Sequence, residues 1–397
     1  MKSTEAGQSS LLLEKRVLVC CGAGGVGKTT VSAGLAIAAA RAGRRVLVVT
    51  IDPSRRLAET LGVKSNLSQP VSLPEESLTK AGITPPGSLF AWVLDPQIVS
   101  DGVVRRLISN PDDAESLLAN RIYRNVTAMV AGMQEYAAIE ALHGFVVNDA
   151  YDLVVLDTPP SRNALRFLDA PTRARSILDS RVLSLLVPEE GNLIRQFATR
   201  LFEEVLDLAF GRDARVDIQS FFKLFGRVLG HANKNQEAVQ EYFRTKRVGF
   251  LLVTSPAREA LSEAYYFEKK TREELGLNLC GYILNRSTSF ALDRALPDPS
   301  SLPAQAPAEL RRALAKLMGA AETERDTARR HAELAEELRG RKESVWVLPA
   351  MPTSPTDMAE LGSLGDLLGA LMSDPETKRT STNLSAAHLP ETGCSCP

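Results

Sequence analysis

The sequence predicts an α/β fold: a doubly wound, mostly parallel sheet with an inserted α-helical subdomain. Three observations carry this prediction. Short apolar runs alternate with helical segments along most of the 397 residues, the pattern of a parallel sheet covered by helices on both faces. A glycine-rich turn, Gly22 to Gly27, joins the first apolar run to the first helix. Two stretches, about 97–145 and 172–245, break the alternation and are helical by composition.

Arg16 to Cys21 reads RVLVCC, a buried parallel strand. A helix of small residues follows from Lys28 to Ala42, and Gly43 is its natural stop. Further strands are predicted at Arg45–Ile51, Leu89–Leu94, Tyr151–Leu156, Val248–Val253, Leu279–Leu284 and Val345–Leu348. Ligands of such sheets sit beyond the carboxyl ends of the strands. Asp52, Asp95 and Asp157 fall at those ends and line one edge with acid. The stretch 172–245 carries apolar stripes at helical spacing, among them Leu193, Phe197, Leu201 and Phe202. They serve either as ordinary helix packing or as a groove for an apolar client. Residues 292–310 read as a loop, and 320–342 as a solvated helix with i, i+4 ion pairs. Residues 15–372 are expected to form one domain, with disordered tails at 1–14 and 374–397.

The apolar fraction of 44% supports a sizeable core, and a net charge of −1 gives no electrostatic reason to expect nucleic acid. No stretch approaches the ~18 apolar residues of a membrane span, so the chain is expected to be cytoplasmic and not integral to a membrane. Five cysteines suit a reducing compartment. Cys20, Cys21 and Cys280 lie in apolar runs and read as small hydrophobes.

The chemistry concentrates in Gly22-Ala23-Gly24-Gly25-Val26-Gly27-Lys28-Thr29-Thr30. This matches a phosphate-binding loop in the context the motif requires, between a strand and a helix. Glycines let backbone N–H groups turn inward as an anion nest, and the helix N-terminus adds its positive end. Lys28 is assigned to the β- and γ-phosphates of ATP, the Thr29 hydroxyl to Mg2+, and Thr30 to the α-phosphate. Asp157 ends an apolar strand and is the natural partner of Mg2+, directly or through water. Asp52 ends the strand after the loop, where a carboxylate can orient or deprotonate an attacking water.

The chain resembles the arsenical-pump ATPase family, which also contains the ATPase that delivers tail-anchored membrane proteins. It is similar more widely to the dimeric P-loop ATPases, such as the nitrogenase iron protein and MinD. The matching pieces are GAGGVGKTT at 22–30, DPSRRL at 52–57, FAWVLDP at 90–96, LDTPPSRNALRFL at 156–168, LNRS at 284–287 and PAMPTSPTDMAEL at 349–361. The resemblance implies that Asp52 is the catalytic aspartate of a first switch and that Asp157 opens a second. It implies that Asn285 hydrogen-bonds the adenine, that Pro352 and Thr353 belong to the loop flanking the base, and, across a gap, that Glu259 contacts nucleotide. It also implies a homodimer or a heterodimer, and a hydrophobic client or membrane-protein partner.

Departures from the family pattern are informative. Ala23 stands where the wider group has a lysine that reaches across the dimer. A trans cation of that kind can be worth on the order of 10³–10⁵ in rate. Arg55, Arg56 or Arg162 can substitute for it, a paralogous partner can donate it, or hydrolysis is slow. Asn163 stands where a histidine is usual. A role driving an arsenite pump needs thiolates, because a soft centre prefers sulfur. The helical stretches hold no cysteine, and the chain has no Cys-x-x-Cys for a zinc-bridged dimer.

Overall fold

The computed structural model describes residues 11–51, 56–63, 69–121, 149–158, 241–292, 305–341, 344–351 and 357–373, with scattered positions within 123–145, 220–228 and 295–303 and at 353 and 355. The sheet is built from β1 (Val17–Cys21), β2 (Arg45–Thr50), β3 (Val71–Ser72), β4 (Ser88–Val93), β5 (Leu153–Asp157), β6 (Val248–Thr254), β7 (Leu279–Ser287) and β8 (Ser344–Pro349). Their spatial order is β3-β4-β2-β5-β1-β6-β7-β8. Every pairing is parallel except β3 with β4. The seven predicted strands are present; β3 escaped the sequence pattern because two residues show no period.

Strands β1, β5 and β6 are buried at every position. Helices cover both faces, so alternation has no use and continuous Val/Leu runs are required. On one face α1 (Lys28–Arg41) lies against β2 and β5 and is buried nearly all round. Alanines and Gly34 make this possible: the Leu364 and Leu368 side chains of α2 (Met358–Ser373) seat where a Cβ at Gly34 would stand, so the two helices approach closely. The opposite face joins Val17, Val19, Leu156, Phe250 and Tyr282 into a second core layer with Phe267 and Leu338. Each such side chain contributes about 1.5–3 kcal/mol of burial.

A third cluster stands apart from the sheet. Val103, Val104, Leu117 and Leu118, from the first predicted helical stretch, pack with Phe221, Leu224, Phe225 and Val228 from the second. Phe221 and Phe225 stack at 4.8 Å between ring centroids. The rest of 172–245, apart from residues 220–228 in part and 241–245, lies outside the described residues. The helix expected at 320–342 is α3 (Ala308–Gly340), which begins earlier than predicted and takes in the end of the expected loop. Two ion pairs along it are spaced i, i+3: Arg329 with Asp326, and Arg339 with Glu336. No helix among the described residues is long and apolar enough to cross a membrane.

Candidate functional site

The site forms where β1 ends between β5 and β6, in the middle of the sheet. The chain leaves β1 at Cys21, turns through Gly22–Gly27 and enters α1 at Lys28. Gly22 passes so close to the Val253 carbonyl of β6 that a Cβ would collide with it. Gly27 caps α1 with φ 93°, in the left-handed region. The Gly27 cap has no side-chain hydrogen bond. The first N–H groups of a helix have no intrahelical acceptor, so an anion is a suitable partner for them.

Lys28 is buried, and its Nζ donates to the Ala23 carbonyl at 2.8 Å, across the mouth of the loop. Gly24 and Gly25 are exposed, while Ala23 and Val26 are buried. On the β5 side, Asp157 is fully buried and its Oδ2 accepts from Thr29 Oγ1 at 2.8 Å and from Thr50 Oγ1 at 3.1 Å. Thr50 is the last residue of β2, facing Asp157 in the parallel register. Sequence reasoning missed Thr50, although a lone polar residue closing an apolar strand was the available signal. Thr158 Oγ1 donates to the Cys20 carbonyl at 2.8 Å and ties the strand after Asp157 to β1. The two buried thiols beside the loop are held in the protonated form. Burial first pushes Cys20 up to about 12, with Asp157 adding to it, and drives Cys21 higher still.

On the β7 side, Asn285 is buried and its Nδ2 donates to the Val26 carbonyl at 2.8 Å. Three residues on, the Thr288 N–H and hydroxyl lie 3.0 and 2.9 Å from His331 Nδ1 of α3. Burial, then the charge of Arg330, lowers the His331 pKa.

The structure thus gathers Gly22 through Thr30, Asp157 and Asn285 around one loop. Asp95 does not join them: its Oδ1 accepts from the Gln97 and Ile98 N–H groups, capping the helix Pro96–Leu107. Glu259 is exposed in the first turn of the helix Arg258–Lys269. Thr353 is exposed beyond β8. Asp52, Pro352, Arg55, Arg162, Asn163 and the side chain of Arg56 lie outside the described residues.

The donor set fits a magnesium–nucleotide complex. The Thr29 hydroxyl and the Asp157 carboxylate are hard oxygen donors already in contact, the type Mg2+ takes when phosphates complete its shell. Strand, glycine turn, lysine and helix, with a carboxylate ending the adjacent strand, define the P-loop nucleotide-binding class.

Comparison with known proteins narrows this class. The family model described as anion-transporting ATPase matches residues 15–263, more than half of the chain. The chain belongs to that family. It is 33% identical over 184 residues to an uncharacterized protein of Streptomyces coelicolor, covering 45% of this chain and 42% of that protein. It is 32% identical over 173 residues to a putative arsenical pump-driving ATPase of Halobacterium salinarum, covering 42% and 25% of the two chains. It is 30% identical over 156 residues to the ATPase get3 of Aspergillus terreus, covering 38% and 42%. The matched segments therefore span less than half of each relative's own length.

Proposed function

We propose that the chain is a Mg2+-dependent ATPase in which ATP binding and hydrolysis open and close a dimer and are read by helical segments that hold a client or partner protein. The observation that carries this reading is the Thr29–Asp157 contact at 2.8 Å, set directly under a phosphate loop that ends in Lys28. Thr29 and Asp157 hold Mg2+, Lys28 holds the β- and γ-phosphates, and Thr30 holds the α-phosphate. Mg2+ supplies charge stabilisation to the transferring phosphoryl group. Asp52 orients or deprotonates the attacking water, and Pro352 and Thr353 flank the base. The packing of described residues from both helical stretches into one cluster of their own supports a separate helical unit as the reader of nucleotide state. The test is Asp52→Asn: turnover should fall by about 10²–10⁴-fold while ATP still binds. Hydrolysis at the wild-type rate would remove Asp52 from the mechanism. Specific activity should rise with chain concentration, because a dimer completes the site; a flat profile would overturn the dimer.

A second reading is favoured by Ala23. Its methyl is buried, 7% exposed, and supplies no charge where the wider group has a lysine. A paralogous partner carrying that lysine would then complete the site in a heterodimer. Ala23→Lys should raise turnover of the purified chain if the cation is what is missing; an unchanged rate would sink this reading.

A further inference from the structure

Asn285 was expected at the base, yet the atom it touches belongs to the phosphate loop. β7 pairs with β8 from Gly281 to Leu284 and again at Ser287, with a register shift between Leu284 and Ser287. Leu284 pairs with Val347 and Ser287 with Pro349, so β7 carries one residue more than β8 over this interval. Such a bulge re-aims a side chain. Arg286 takes the left-handed conformation, φ 60°, and its N–H donates to Asn285 Oδ1 at 2.9 Å. The Asn285 amide then crosses to the loop, where Nδ2 donates to the Val26 carbonyl.

Two features show that the loop is shaped to receive this amide. A Cβ at Gly27 would collide with Asn285 Nδ2, so only glycine leaves room for the bond. Orientation of the amide is also settled. The Val26 carbonyl can only accept and the Arg286 N–H can only donate, so the side chain cannot be flipped without losing both bonds.

We infer that Asn285 is a positioning residue for phosphate binding: it clamps the Val26 carbonyl outward and so keeps the following peptides, Gly27 to Thr29, turned toward the anion, independently of any contact with a base. A peptide plane rotates as a unit, so releasing the Val26 carbonyl frees the N–H of Gly27 at the mouth of the nest. The inference rests on the reading of this loop as a phosphate site.

Inorganic tripolyphosphate with Mg2+ tests it, because this ligand has no base. Binding to the full chain is measured by calorimetry for the wild type, Asn285→Ala and Asn285→Asp. The expected result is about a tenfold loss of tripolyphosphate affinity in Asn285→Ala, equivalent to ~1.4 kcal/mol. At least as large a loss is expected in Asn285→Asp, which sets a carboxylate oxygen against the Val26 carbonyl. A loss confined to ATP, with tripolyphosphate affinity unchanged in both variants, would overturn the inference and leave Asn285 a base contact alone. Amide hydrogen exchange without ligand provides an independent measurement. Exchange at residues 23–29 should quicken in Asn285→Ala while α2 exchanges as in the wild type; unchanged loop exchange counts against the clamp. A wild-type chain that binds neither ligand would fail the phosphate-site reading, and the exchange experiment would still decide the clamp.

Discussion

The two flanks of the phosphate loop are held by different chemistry. On the β5 flank the bonds are hydroxyl to carboxylate, Thr29 and Thr50 to Asp157. On the β7 flank the bond is amide to carbonyl, Asn285 to Val26. Hydroxyls and carboxylates are also the ligands a hard cation takes, so the β5 bonds can be exchanged for metal bonds when Mg2+ enters. An amide–carbonyl bond offers a cation no anionic oxygen, so Mg2+ has no reason to displace it. One flank is built to respond to ligand and the other to keep the loop in shape.

The largest effect should come from the responsive flank. Asp157→Ala removes the carboxylate proposed for Mg2+, and turnover should drop by about 10²–10³-fold, the cost of removing one electrostatic stabiliser. Tripolyphosphate binding without Mg2+ should be retained, because the β7 flank is intact. A parallel loss of metal-free binding would erase the contrast between the flanks.

Gly27→Ala probes the other flank. A methyl at φ 93°, pressed against Asn285, should cost about 1–3 kcal/mol of stability, seen as a lower urea midpoint with an unchanged slope. A wild-type midpoint would mean that the Asn285 bond is loose.

The smallest effect concerns His331, which joins the end of β7 to α3. Its pKa is lowered by burial and by Arg330, and Nδ1 accepts from Thr288 only when the ring is neutral. A depressed pKa contributes stability that is present above the unfolded value of about 6.5 and is lost as pH falls through the folded value. Urea melts of the wild type should therefore weaken between pH 7.5 and 5.5 more than those of His331→Gln. Equal pH dependence would show that His331 does not support the β7 flank.

Much of the responsive flank was legible in the sequence. A glycine turn between an apolar run and a helix, and a carboxylate ending another run, are local patterns, and they put Lys28 and Thr29 at the start of α1 and Asp157 at the end of β5. Asp95 had the same signal as Asp157 but a different fate. The Asp-Pro pair that opens a helix turns the carboxylate back onto its own chain as an N-cap. The sequence motif brought Asn285 to the site, but its bond to the loop was not legible, because the acceptor is a backbone carbonyl and the donor is 259 residues away. Only a one-residue bulge brings them together.

The sequence by itself determined the class of fold and the phosphate loop, since both follow from short-range periodicity and from residue types that suit one backbone geometry. The tertiary structure decided which group each site residue meets: Lys28 on Ala23, Asp157 on two threonines, Asn285 on Val26. Such pairings depend on strand order and on a local register break between β7 and β8, which no window of sequence contains. The physical reason is that hydrogen bonds are short and directional, so a shift of one residue in a distant strand changes which groups meet.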